Sequence, residues 1–198
     1  MSAERRPNAA RSASTRAALI GAARELFTER GYTAVGTEEI VRRADVTRGA
    51  LYHHFTDKRD LFRAVHESVE EEMVAAIAAA MDGVEDPIEL LLAGAQRFLD
   101  LCMQPEWTRI PLMDAPSVLG WAEWREIDQR YGLGIVTAGL TLAMDAGALR
   151  RQPVVPLAHV LLAAMGEAGL MIATAEQPAE VREGVEATLV GLIDGLRA

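Results

Sequence analysis

Residues 31–58 read GYTAVGTEEIVRRADVTRGALYHHFTDK, and the order of small, polar and apolar residues in this stretch decides the fold. Two short helices are expected, about Thr37 to Ala44 and about Thr47 to Phe55, joined by a tight turn at Asp45-Val46. That is helix-turn-helix geometry. Gly36 stands at the N-cap position of the first helix, with Glu39 three residues on, and Thr47 is a good N-cap for the second. In the second helix Leu51 and Phe55 fall at i and i+4 and make one buried face, with Ala50 beside them. Thr47, Arg48, Gly49, Tyr52, His53 and His54 are left facing outward. Such a surface suits a helix entering a DNA major groove. Arg48 can contact a guanine edge through two hydrogen bonds. Gly49 lets the backbone approach a base closely. Tyr52, His53 and His54 can reach phosphates or base edges. Thr37 and Thr47 sit at helix N-termini, where free N–H groups and the dipole favour a phosphate. Lys58, the chain's one lysine, lies in the first turn of the next helix. A cation there opposes the helix dipole, so an external anion is its expected partner.

Upstream, a helix is expected after Ser14 as far as Gly31, with Leu19, Ile20, Ala23, Leu26 and Phe27 on one face. Residues 1–13, Arg- and Ala-rich and without pattern, are expected to form a flexible basic arm carrying Arg5, Arg6 and Arg11. Downstream, Asp57 caps a long helix running to about Gly83, with Asp60 in its first turn. Leu61, Val65, Val69, Met73, Ile77 and Met81 recur at steps of four and form a continuous apolar stripe. A helix over 57–82 would be a rod of about 39 Å, at roughly 1.5 Å per residue. Helical segments follow at about 87–103, 106–113, 118–147, 154–175 and 178–197. Sustained β alternation is absent from the sequence, so the chain reads as all-α. Its expected organisation is a three-helix helix-turn-helix domain over 14–56 and a helical ligand-binding and dimerisation domain over 57–198.

At this point the sequence resembles the DNA-binding domain of the TetR (tetracycline-repressor-like) transcriptional regulators. The residues that carry the resemblance are Phe27, Gly31-Tyr32, Ile40, Ala44, Val46, the run Thr47 to Phe55, Lys58 and Leu61, and the match covers about residues 16–63. The resemblance implies a dimer that represses transcription and leaves DNA when a small molecule binds its C-terminal domain. By position it assigns DNA contacts to Thr37, Thr47, Arg48, Gly49, Tyr52, His53, His54 and Lys58. Two positions depart from the family pattern. Asp45 stands where the turn usually has Gly, and it must take a left-handed or turn conformation, which Asp tolerates better than most residues. Gly36 replaces the usual Ser or Thr cap, at a cost of only a few tenths of a kcal/mol.

The chain has 198 residues and a formal net charge of −9. Taken as a total, that acidity opposes DNA binding, which relies on Lys and Arg neutralising phosphates. Its distribution reverses the inference. Residues 1–66 hold 12 Lys/Arg against 8 Asp/Glu, whereas residues 67–198 hold 8 against 21. The basic head would meet the duplex and the acidic body would be held away from it. The uncharged apolar-rich run Gly132–Met144, 13 residues long, is too short to span a bilayer. No apolar stretch follows the N-terminal arginines, so neither a secretory signal nor a membrane partner is expected, and a cytoplasmic location is. A single cysteine, Cys102, excludes an internal disulfide and a Cys-cluster zinc site. His53-His54 lacks a further ligand at i+4, and Gly132-Leu133-Gly134 lacks the third glycine and the strand of a dinucleotide loop. The expectation is therefore no metal, no cofactor and no enzyme activity, because no triad or paired carboxylates are visible.

In the C-terminal half all three tryptophans fall within 107–124. Phe98, Cys102, Trp107, Met113, Trp121, Trp124, Arg125, Met144, Met165 and Met171 could line a pocket for an apolar or aromatic effector. The same residues also suit an ordinary core. Arg109, His159 and Glu167 are further candidates for orienting a ligand. The stretch 114–132 resembles a box found in one C-terminal subtype of the family. Small residues (Ala163, Ala164, Gly166, Ala168, Gly169) interleave with leucines over 156–175 and 180–197, which suits a two-fold four-helix interface in a homodimer. The function expected is a ligand-responsive DNA-binding regulator, a repressor released from a palindromic operator by a small molecule. The rivals are a helical interaction module, or an activator without ligand-induced release.

Overall fold

The computed structural model describes residues 5–198, with side chains from Ala10 onward. Among the described residues, ten α-helices and one π-helical turn follow in order. They are α1 (Arg5–Arg30), α2 (Thr37–Arg43), α3 (Arg48–His54), α4 (Lys58–Met81), α5 (Pro87–Cys102), α6 (Pro105–Thr108), the π-turn (Arg109–Asp114), α7 (Ala115–Leu119), α8 (Trp121–Asp145), α9 (Val154–Thr174) and α10 (Pro178–Asp194). Among the described residues the sole β pairing is an isolated bridge between Leu149 and Arg197.

The local signals near the N-terminus act as expected. Gly31 ends α1 at φ +78°, a conformation that suits glycine, and its N–H donates to the Phe27 carbonyl at 2.8 Å. Thr47 caps α3 by accepting from the Ala50 N–H at 3.2 Å, and Asp57 caps α4 by accepting from the Asp60 N–H at 2.8 Å. Gly36 occupies the N-cap of α2 in extended conformation. Asp45 takes φ +53°, the left-handed turn that its position between the two helices requires. Leu19, Ala23, Leu26, Phe27, Ile40, Leu51, Phe55, Leu61, Phe62 and Val65 form one buried cluster. Phe27, Tyr32 and Phe62 pack at its centre, with ring centroids 5.1–5.6 Å apart. This cluster continues through Ile110, Ala115, Leu119 and Ile127, so the head's core runs into the body without a packing gap.

Four expectations need correction. Helix α1 begins at Arg5, so residues 5–13 are helical and do not form a patternless arm. Ala9, Ala10 and Ala13 are strong helix formers, and the well-packed second half of α1 supplies the nucleus from which the helix extends. Residues 1–4 and the side chains of Arg5 and Arg6 lie outside the described residues. The segment expected as one helix over 106–113 is a four-residue α-helix followed by the π-turn. Pro111 cannot donate to the preceding turn, and the backbone there widens to accommodate it. Gly120 at φ +81° then separates α7 from α8, which starts at Trp121 and not near 118. Finally, residues 132–144 are not the longest apolar stretch: α9, with 21 residues, is long and apolar enough, by length and composition alone, to cross a membrane. His159 and the single charge Glu167 interrupt the apolar run without ending it. Here α9 packs on α5, α8 and α10.

Candidate DNA-reading surface and effector cavity

Leu51 and Phe55 anchor α3 to the core, and the opposite face is open. Thr47, Arg48, Gly49, Tyr52 and His53 are exposed, while Thr37 and His54 are half-buried. Arg48 lies over the Tyr52 ring at 5.6 Å, and its Nη1 is 3.0 Å from Oε1 of Glu38 on α2. Both partners of that ion pair are well exposed, so it is weak and exchangeable for a base or a phosphate. A Cβ at Gly49 would meet nothing nearer than Thr47 Oγ1 at 3.9 Å, so no protein contact demands glycine there. What the missing side chain leaves clear is the outer surface. His53 and His54 stack edge-on at 5.2 Å, and His54 also leans on Phe55.

Lys58 differs from the expectation of an external anion. Its Nζ donates to the carbonyl oxygens of Tyr32 and Val35, both at 2.9 Å, and sits 3.9 Å from the centroid of the Tyr32 ring. The dipole mismatch at the start of α4 is therefore met inside the protein, by backbone acceptors of the α1–α2 loop. Partial burial pushes the ammonium below the ordinary lysine value. Lys58 ties that loop to α4, with one donor position left over.

The body holds a cavity of about 130 Å³ between α4, α5, α8, α9, α10 and the π-turn. A cavity of roughly 150 Å³ is known to take up a single aromatic ring. Ile77, Met81, Phe98, Leu112, Val136 and Met165 are among its apolar walls, and Glu70 and Asp128 are its only ionisable lining residues among those described. The π-turn serves two sites. Pro111 and Leu112 line the cavity, and Asp114 Oδ2, two residues on, accepts from the Tyr32 N–H at 2.9 Å. The Arg109 guanidinium packs so close to Gly31 that a Cβ there would lie 2.6 Å from Nη2. Arg59 on α4 binds the same region from the other side, donating to the carbonyls of Val118 (3.1 Å) and Leu119 (2.7 Å).

Residues 19–65 match the family model for bacterial regulatory proteins of the tetR family, and residues 88–196 match the model for the tetracyclin repressor-like C-terminal domain. The chain belongs to the TetR family. The Tn10 transposon TetC protein of Escherichia coli is 33% identical over 125 residues, covering 63% of each chain. The crystal structure of a TetR-family transcriptional regulator from Pectobacterium atrosepticum is 32% identical, with a TM-score of 0.85, over 96% of this chain and 97% of that one. The structure of RolR in complex with resorcinol shares the fold, with a TM-score of 0.73 at 22% identity, over 93% of this chain and 89% of that one. The chain thus spans just under two thirds of the Tn10 TetC protein it matches.

Within this TetR-family architecture the residues expected to line a pocket divide sharply. Phe98 and Met165 face the cavity. Cys102 is buried behind its wall, where burial pushes the thiol up to about 12, and Met144 is buried in the neighbouring cluster around Leu140. Trp107 lies under the Arg24 guanidinium at 5.4 Å. Trp124 sends its indole N–H to the Pro111 carbonyl at 2.8 Å, so it braces the wall without lining it. Arg125 binds Asp128 at 2.6 Å and stands one step behind the surface. Met113, Trp121 and Met171 are exposed, Trp121 at 68%. Trp121 opens α8 and packs on Trp124 with ring centroids 4.9 Å apart, and Met171 lies on an exposed face of α9.

Two buried ionisable residues lie outside the set expected from the sequence. His66 and Glu70 lie one turn apart on the buried side of α4, with His66 Nδ1 3.7 Å from Glu70 Oε1. Neither ring nitrogen of His66 has a hydrogen-bond partner among the described residues, and burial pushes the imidazole down to about 4. Burial, reinforced by Asp128, pushes the Glu70 carboxyl up to about 8. The signal in the sequence was two ionisable residues at i and i+4 within the apolar stripe Phe62–Met73.

Proposed function

We propose that this chain is a homodimeric transcriptional repressor that holds a palindromic operator through residues 47–55 of each subunit. It releases that operator when a small apolar or aromatic molecule fills the body cavity. Thr37, Thr47, Gly49, Tyr52, His53 and His54 contact backbone or base edges around Arg48, which reads a guanine. Lys58 acts chiefly by holding the α1–α2 loop against α4.

The observation that carries the ligand response is the double duty of the π-turn. One six-residue segment forms part of the cavity wall and also grips the α1–α2 loop at Gly31 and Tyr32. Moving Pro111 and Leu112 outward moves Asp114, and with it the loop that Lys58 fixes to α4. The tilt of the reading head relative to the body changes accordingly. A ligand achieves this only by binding the released state more tightly, with roughly 10⁴-fold preference needed for full switching.

The dimer reading rests on α9 and α10. Val155, Val160, Met171 and Leu192 are exposed, Val160 at 65%. An apolar face of this kind needs a cover. A second copy related by two-fold symmetry supplies one, and sets two reading helices on one face of the duplex. Sedimentation tests the dimer, and a mobility shift on the DNA flanking its own gene tests the operator. A monomer at micromolar concentration, or no shift at low salt, refutes the reading and favours a helical interaction module.

A further inference from the structure

The proposed effector cavity is not electrically neutral in its choice of occupant. Its walls are apolar except at Glu70 and Asp128, and no Lys, Arg or His lines it among the described residues. The two acids differ. Asp128 Oδ2 is bound by Arg125 at 2.6 Å, so its charge is matched by the protein. Glu70 is 8% exposed, borders the cavity, and makes no hydrogen bond among the described residues. The groups facing Glu70 are His66 on its own helix, Asp128 on α8 with Arg125 behind it, and the Cys102 thiol on α5. The imidazole is too buried to carry a matching charge near neutral pH. Glu70 is thus a largely buried acceptor at an apolar cavity, and none of the described residues supplies it with a matching positive charge when it ionises. Such a group is costly unless a partner arrives.

We propose that the effector is a small lipophilic amine, whose ammonium group pairs with Glu70 while its apolar part occupies the space toward Ile77, Met81 and Met165. The cavity disfavours carboxylates, phosphates and other anions, because no cation lines it among the described residues and the nearby Arg125 is already bound to Asp128. This rests on the reading of the cavity as the effector site. On binding, the neutral Glu70 carboxyl gives its proton to solvent and the protonated amine takes its place as counter-ion, so one proton is released per amine bound. Below the Glu70 value of about 8, affinity for the amine rises about tenfold per pH unit.

The test is calorimetric titration of the full-length protein with three probes of matched size: benzylamine, benzyl alcohol and benzoate. Benzylamine is expected to bind at least tenfold tighter than benzyl alcohol at pH 7, and benzoate is not expected to bind. Benzylamine affinity should rise about tenfold from pH 6 to pH 7, with proton release visible as a buffer-dependent heat. Glu70→Gln should remove both the preference for the amine and the pH slope while retaining benzyl alcohol. The wild-type pH series stands alone if that variant fails to fold. Benzyl alcohol or benzoate binding as tightly as the amine, or a flat pH profile, overturns the proposal and leaves the cavity as an effector site. If none of the three binds, the effector-site reading falls with it.

Discussion

Replacing Lys58 by Met separates two roles that a lysine at this position can have. Met keeps most of the aliphatic stem and removes the ammonium. The structure assigns that ammonium two carbonyl acceptors at 2.9 Å, on Tyr32 and Val35, and a ring face at 3.9 Å. A hydrogen bond involving a charged group contributes about 1.5–3 kcal/mol, and a cation–π contact at a partly exposed site about 0.5–1. Lys58 is only half-buried, so water replaces part of what is lost, and a net loss of about 2–4 kcal/mol is reasonable. For a chain of this size each kcal/mol moves the melting temperature by about 2–4 °C, so a fall of roughly 5–15 °C is expected. The assay is thermal unfolding followed by circular dichroism, without DNA, at one fixed protein concentration for both forms. If Lys58 served only to meet a phosphate, Lys58→Met would melt with the wild type and merely flatten the salt dependence of DNA binding by about one unit. An unchanged melting temperature would refute the bracing role.

Arg48→Ala should abolish specific operator binding while changing stability by less than about 0.5 kcal/mol, because the ion pair it gives up with Glu38 is exposed; mobility shifts and melting curves check the two halves. Gly31→Ala should destabilise the head by about 2 kcal/mol or more in a chemical denaturation series. The cost comes from placing a Cβ at a φ of +78°; Arg109 Nη2, 2.6 Å from it, is the end of a flexible side chain and would shift aside. Stability should also fall between about pH 6.5 and 8, by about 1–2 kcal/mol, as Glu70 is forced to ionise. The sign follows because a carboxyl raised to about 8 in the fold retains a proton that the unfolded chain has already lost. His66, lowered to about 4, opposes this only below pH 6.5, and Glu70→Gln should remove the slope above it.

The reading head was legible because its signals are local. Thr47 caps α3 and Asp57 caps α4, Leu51 and Phe55 face inward together, and Asp45 takes the left-handed turn, all within a few residues of the sequence that specifies them. The internal role of Lys58 was not legible because its acceptors are backbone carbonyls 23 and 26 residues away, and no side-chain pattern encodes them. The cavity was harder still. Aromatic density between Trp107 and Trp124 suggested a pocket. Those rings instead brace the π-turn, cover Arg24 or face solvent, while the walls come from aliphatic residues on five helices. Which side of each helix faces the shared space depends on long-range packing that helical periodicity leaves open. His66 and Glu70 were visible as a break in an apolar stripe, but a break in a stripe does not say whether it meets water or a cavity.

The central claim is that a dimer reads a two-fold operator with α3 and lets go when the cavity is filled. A footprint of the protein on the DNA flanking its own gene, with and without benzylamine, tests it most directly. The account predicts two protected half-sites whose centres lie one helical turn of 10–10.5 bp, or a multiple of it, apart. Guanine contacts should disappear in Arg48→Ala, and protection should be lost on adding the amine to the wild type but not to Glu70→Gln. A single unpaired site, or protection of every sequence alike at low salt that Arg48→Ala leaves unchanged, would contradict it.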